Sequence, residues 1–100
     1  AEAYTLSTYM TASRLAKGGK IGPESSTNKI YWSELDQRMH ETALNILGQR
    51  AELLPEAPDA GEVGQWLDGF LFAQAGPIYA GTNEIQRNII AERMLGMPRA

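Results

Sequence analysis

The stretch "PIYAGTNEIQRNIIAERMLG", Pro77–Gly96, sets a short amphipathic helix between two glycine-containing turns. Gly76-Pro77 breaks or bends whatever helix precedes it, because proline lacks the amide donor and crowds the turn before it. Gly81 allows the backbone to approach another group closely. Thr82 is suited to the N-cap, where its hydroxyl can take one of the unpaired amides of the first helical turn. Ile85, Ile89, Ile90 and Met94 then recur at helical spacing, and the run stops at Gly96 before Pro98. Amides at such a helix start point outward along the axis and favour a phosphate, a sugar hydroxyl or an acid. Glu84, in the first turn, either stabilises the helix or accepts from a ribose hydroxyl. For an isolated Gly-Thr-Asn start, a cap alone is the simpler account.

Working outward, three further helices are expected. One spans about Glu2 to Ala16 and is stopped by "KGGKIGP". A second opens at Pro23, which is pre-set for the first helical position. Glu24 follows where the helix dipole favours an acid. Its stripe of Ile30, Tyr31, Leu35, Met39, Ala43, Ile46 and Leu47 ends at Gly48. Residues 49–62, with two prolines, a glycine and several acids, read as a surface loop anchored by Leu53 and Leu54. The third helix carries Val63, Trp66, Leu67, Phe70, Leu71 and Gln74 on one face. No period-two run, internal repeat or low-complexity tract interrupts this pattern. The expected fold is all-α, an antiparallel four-helix bundle in which the stripes bury one another.

One hundred residues make one domain, and a compact chain of this size buries roughly two-thirds of its unfolded surface. With no cysteine, disulfides, thiolate catalysis and Cys-ligated metals are excluded. The net charge of −3 comes from nine basic and twelve acidic residues, interspersed, with no basic stripe for nucleic acid. No apolar run is long enough for a membrane span. The lone His40, one turn after Asp36, gives no metal site and reads as an exposed helix residue in an i,i+4 contact. Trp32 and Trp66 read as core or interface anchors, and the four methionines as packing. The polar "SSTN" at 25–28 reads as a frayed turn or a close helix contact. The first residues lack both a signal-peptide layout and an initiator methionine, so a processed chain or a piece of a longer one is expected.

The segment "IYAGTNEIQRNIIAERMLGMPR" resembles the carboxy-terminal signature of the acyl-CoA dehydrogenase family of flavoproteins. That signature usually reads Ile-Tyr-Glu-Gly-Thr-x-Glu/Gln-Ile-Gln-Arg, then an Ile-rich helix and a closing Leu-Gly. "GPESSTNKIYWSE", "ALNILG" and "WLDGFLFAQAGPIY" resemble earlier parts of the same domain, so the likeness covers essentially the whole chain. The resemblance implies that residues 1–100 are the C-terminal helical domain, without the N-terminal helical and middle β domains of the family's several-fold longer enzymes. It implies FAD as cofactor, an acyl-CoA thioester as substrate and an electron-transfer partner. A homo- or hetero-oligomer, dimer or tetramer, is expected. So is a location in the bacterial cytoplasm or, for a eukaryote, the mitochondrial matrix.

Residue by residue, the match makes Gly81, Thr82 and Glu84 flavin contacts. The family's other flavin segment, which comes from the subunit across the dimer and reads Gln-x-Phe/Leu-Gly-Gly, falls on Asn45 to Gln49. Asn45 keeps an amide one methylene shorter, Gly48 is kept, and Gln49 stands in place of the second glycine. Tyr79 and Ala80 fall at the substrate pocket. In many members the base that removes the proton alpha to the thioester is the Glu at the position of Ala80. Alanine accepts no proton, Glu84 at a helix N-terminus is held in its weakly basic anionic form, and a phenol such as Tyr79 is no base at neutral pH. No catalytic residue is therefore expected in this chain. Either the base lies on an upstream helix, or the parent belongs to an oxygenase-like or non-catalytic heteromeric branch. Arg87 reads as a partner of Glu84, of a backbone carbonyl or of a neighbouring subunit's phosphates. A free-standing helical interaction module is the reading of another class.

Overall fold

A computed structural model describes residues 2–99. All regular structure among them is helical: α1 (Glu2–Ala16), α2 (Glu24–Leu47), α3 (Gly64–Ala73) and α4 (Asn83–Arg93), with a short 3-10 helix at Gly48–Glu52. The expected ends of α1 and α2 agree with these bounds to within a residue. Two compact units are distinguished, one formed by residues 2–32 with 80–99, the other by residues 33–79. The chain of α2 passes from the first into the second.

In the first unit, α1 holds its threonines by back-bonding. Thr8 donates to the Tyr4 carbonyl at 2.9 Å and Thr11 to that of Ser7 at 3.1 Å, which lets hydroxyls sit mid-helix without unpaired donors. The helix closes where the Gly19 amide donates to the Arg14 carbonyl at 3.0 Å. Arg14 also pairs with Glu24, tying the end of α1 to the start of α2. Ser25 donates to the Gly22 carbonyl at 2.9 Å, and Ser26 is buried. The polar start of α2 is thus a close packing contact, not a frayed end. No residue of α1 is buried.

In the second unit, α2 and α3 meet around His40. Its Nδ1 lies 2.9 Å from the Asp36 carbonyl and 3.4 Å from the Asp36 carboxylate, so Nδ1 carries the proton. The ring lies 5.8 Å from that of Trp66, tilted by 59°, and Nε2 occupies the space a side chain at residue 69 would need. His40 makes the expected i,i+4 contact but is not exposed: only 20% of its side chain is open to solvent. Gln37 donates to Gln74 at 3.0 Å, and Gln74 in turn to the Phe70 carbonyl at 3.1 Å. Residues 49–63 form successive tight turns, with amides of Leu53, Ala57, Ala60 and Val63 each bonding three residues back.

The apolar residues are less enclosed than their spacing predicts. Among the described residues, the buried hydrophobics are Ala60 and Ala73, and the largest fully buried side chain is Ser33. Leu53 is half-buried but Leu54 is exposed, so the loop is anchored through Ala60. Met10, Met39, Met94 and Met97, expected to pack, are all exposed. Periodicity identifies which face of a helix is apolar; it does not say what covers that face. Leu35, Met39, Ala43, Ile46 and Trp66 line an open apolar groove of about 370 Å³. Large uncovered apolar surfaces of this kind are the mark of interaction surfaces.

Candidate functional site

The entrance to α4 is the most constrained piece of backbone in the first unit. Ala80 has φ 55° and Gly81 has φ 84°. Two consecutive left-handed residues turn the chain sharply into the helix. Ala80 is the only non-glycine residue with positive φ among the described residues, a conformation that costs an L-residue roughly 1–2 kcal/mol. Such outliers are held by their surroundings, and the side chain of Gln86 bonds this one. Its Nε2 donates to the Ala80 carbonyl at 2.9 Å. The same nitrogen lies 2.9 Å from where a Cβ at residue 81 would stand. Glycine at 81 avoids the cost of a side chain at this φ, and the tip of Gln86 stands close on the side where that side chain would be. The group that comes close to Gly81 is thus the chain's own Gln86.

Thr82 caps the helix as its sequence position predicts. With φ −59° and ψ 158° it stands outside α4. Its Oγ1 accepts from the Ile85 amide at 3.3 Å, and its carbonyl accepts from the Gln86 amide at 2.9 Å. Asn83, the first helical residue, is buried, and its Oδ1 accepts from Lys29 Nζ of α2 at 2.8 Å. Glu84 is exposed, with 78% of its side chain in solvent. Its own backbone amide holds its carboxyl below the ordinary carboxylate range, helped by the Thr82 hydroxyl and the charges of Arg87 and Lys29. Arg87 Nη1 stands 3.8 Å from Glu84 Oε1. The corner is open to solvent at Ala80, Gly81 and Glu84.

An anion fixed at this entrance offsets the positive end of the helix dipole. It accepts from a hydroxyl or an amine and repels a phosphate. Neither Ala80 nor the anionic Glu84 is suited to remove a proton from carbon.

The structure therefore brings Ala80, Gly81, Thr82 and Glu84 into one turn. Asn45 and Gly48 belong to the other unit, at the end of α2, and both are exposed. Gly48 has φ 57° with open space where a side chain would stand, and Gln49 continues it into the 3-10 helix. Tyr79, 42% exposed, ends that unit, its amide donating to the Ala75 carbonyl at 3.1 Å. Lys29 and Gln86 are participants that sequence reasoning missed. Nothing local links Lys29 to Asn83, which lies 54 positions away. The only signal for Gln86 was its place inside the quoted motif. Among the described residues, no three His, Cys, Asp or Glu side chains are grouped to hold a metal ion. No helix among them is long and apolar enough to cross a membrane.

An all-helical chain whose last helix is entered through this capped turn fits the likeness drawn from its sequence. The family described as acyl-CoA dehydrogenase, C-terminal domain, matches residues 1–95. The chain is a member of the acyl-CoA dehydrogenase family, represented by its C-terminal helical domain. It is 40% identical over 76 residues to acyl-CoA dehydrogenase IpdE1 of Mycobacterium tuberculosis, a match covering 76% of this chain and 19% of that protein. Acyl-CoA dehydrogenase FadE26 of the same organism is 32% identical over 106 aligned positions, covering 100% of this chain and 26% of its own length. Among solved structures, the ChsE4-ChsE5 complex from M. tuberculosis superposes with a TM-score of 0.85 at 29% identity, covering 99% of this chain and 26% of that one. The chain thus spans about a fifth to a quarter of the proteins it matches.

Proposed function

We propose that this chain serves as the C-terminal helical domain of an FAD-dependent acyl-CoA dehydrogenase, acting with N-terminal helical and middle β domains supplied by the rest of a longer polypeptide. The observation that carries the reading is the left-handed turn at Ala80–Gly81 capped by Thr82, within the segment that resembles the family's carboxy-terminal signature. Gly81, Thr82 and Glu84 contact the flavin nucleotide. The donors and acceptors present fit the sugar portion of such a ligand: an exposed anionic carboxylate accepts hydroxyl hydrogens and turns phosphate away. Asn45 and Gly48 contribute to the flavin of the subunit across a dimer, through the end of α2, where the open side of Gly48 leaves room for a ligand to approach the backbone.

Held by Gly81, Thr82 and Glu84, FAD would supply the acceptor for a hydride from the beta carbon of an acyl thioester. The residues of this chain position and enclose; they do not move the proton. Tyr79 and Ala80 line the acyl pocket, and the methyl of Ala80 leaves the proton-abstracting acid to another part of the protein. The exposed apolar faces of α1, α2 and α3 carry the subunit contacts of a dimer or tetramer. Acyl-CoA is the substrate, and an electron-transfer partner would be needed as the final acceptor.

A second reading is favoured by Ala80 itself. A family member without an acid at this position also suits a non-catalytic subunit of a heteromer or an oxygenase-like branch, and the structural relative above is a complex of two differently named chains. One experiment separates the readings. The full-length protein is purified and assayed for bound flavin by absorbance and for acyl-CoA-dependent dye reduction, as wild type and as Ala80→Glu. The dehydrogenase reading predicts bound FAD and dye reduction by the wild type. A flavin-containing but inactive wild type that gains dye reduction in Ala80→Glu identifies the branch that has lost its base. A protein without flavin that stays flavin-free on reconstitution refutes the dehydrogenase and oxygenase-like readings and leaves a non-catalytic heteromer subunit or a helical interaction module.

A further inference from the structure

We infer that Gln86 is a positioning residue for the flavin-contacting turn: its side-chain amide clamps Ala80 and Gly81 in their left-handed conformation and so fixes where Thr82 and Glu84 present their groups. The inference rests on the flavin reading above, and its test is built so that the two can fail separately.

Three observations meet at one nitrogen. Ala80 stands at φ 55°, where an alanine has no intrinsic reason to be. Gln86 Nε2 donates to the carbonyl of that residue at 2.9 Å, reaching back six positions across the helix entrance. The nitrogen also fills the place of the missing side chain at Gly81. The backbone amide of Gln86 meanwhile bonds the Thr82 carbonyl at 2.9 Å, so residue 86 grips the turn from both its main chain and its side chain. Gln86 is half-buried beneath a turn whose other residues, Ala80, Gly81 and Glu84, are exposed. It therefore stands on the inner side of the corner and acts through the turn.

The consequence for a ligand is a matter of populations. If the free turn samples other backbone states, apparent affinity falls by the fraction of time the competent shape is present. A net hydrogen bond of ordinary strength changes such a fraction by up to roughly tenfold. Glycine at position 80 removes the penalty of the left-handed state and should make the clamp dispensable. That rescue separates positioning from general support of the fold, because a merely structural loss at residue 86 has no reason to respond to a methyl group removed at residue 80.

The test uses the full-length protein as wild type, Gln86→Leu, Ala80→Gly, the double variant and Thr82→Val. Two quantities are read: amide hydrogen exchange across residues 79–90 in the flavin-free form, and the dissociation constant for added FAD. We expect Gln86→Leu to speed exchange in this segment and to weaken FAD binding about tenfold. The double variant should recover at least half of that loss on a logarithmic scale. Gln86→Glu, which keeps the shape and removes the donor at neutral pH, should behave like Gln86→Leu and guards against a packing defect. Unchanged exchange in Gln86→Leu overturns the clamp, as does a double variant no better than the single one. Faster exchange with unchanged FAD affinity overturns the role in flavin binding. If Thr82→Val also leaves affinity unchanged in that case, the flavin reading of the turn falls with it.

Discussion

Two left-handed corners of this chain invite comparison. At Gly48 the backbone turns at φ 57° into open space, and no neighbouring atom stands where a side chain would be. At Ala80–Gly81 the backbone turns through two such residues, and a glutamine fills the space behind them. The first corner is made by glycine's conformational freedom alone. The second is made against the preference of one of its residues and is held by a side chain from the helix it introduces. A corner of the first kind is set by one residue and tolerates change nearby. A corner of the second kind is a small assembly, and each part depends on the others.

Substitution of the two glycines breaks the comparison most directly. Gly81→Ala meets both the left-handed penalty and the Gln86 amide, so it should destabilise by about 2–3 kcal/mol, the sum of backbone strain and a displaced hydrogen bond. Gly48→Ala meets the conformational penalty only, and about 1 kcal/mol is expected. Urea unfolding of the two variants against wild type measures the difference, and equal losses would mean that the glutamine adds nothing to the second corner. The smallest effect is expected at Glu84. Its carboxyl is held low by its own amide, Thr82 and nearby cations. A depressed folded-state pKa gives stabilisation that is present above the unfolded value and lost as pH falls through the folded one. Glu84→Gln should therefore cost little at neutral pH and should flatten the acid limb of the stability profile. Because the group is fully exposed, salt should shrink the difference further. An acid limb that matches wild type would remove Glu84 from the stabilisation of the α4 entrance.

The same contrast explains what the sequence could reveal. The ends of α1 and α2, the Thr82 cap and the break at Gly76-Pro77 are local events, set by residues within a few positions of one another, and each was legible. The Glu84–Arg87 contact was legible for the same reason, since residues three apart share a helix face. The pairing of Lys29 with Asn83 and the seat of His40 beside Trp66 were not. They join residues far apart in the chain, and no periodicity encodes them. The left-handed state of Ala80 was hidden for another reason, because alanine's intrinsic preference points the other way. The exposure of Met39 and Ile46 was illegible because an apolar stripe is written identically whether it is covered by its own chain or by another surface. In the candidate site, the motif marked the turn, while the side chain that braces it was read only as part of the motif.

If residue 80 is the position at which family relatives carry their acid, as proposed above, its backbone state bears on how such an acid could be acquired or given up. The frame at residue 80 already admits a Cβ on a left-handed residue, so replacing the methyl by a longer acidic chain asks for no refolding of the corner. Alanine codons ending in A or G become glutamate codons by a change at their middle base. Gain or loss of a proton acceptor here would then be a swap of functional group on a standing scaffold, open to mutation without passage through a misfolded ancestor.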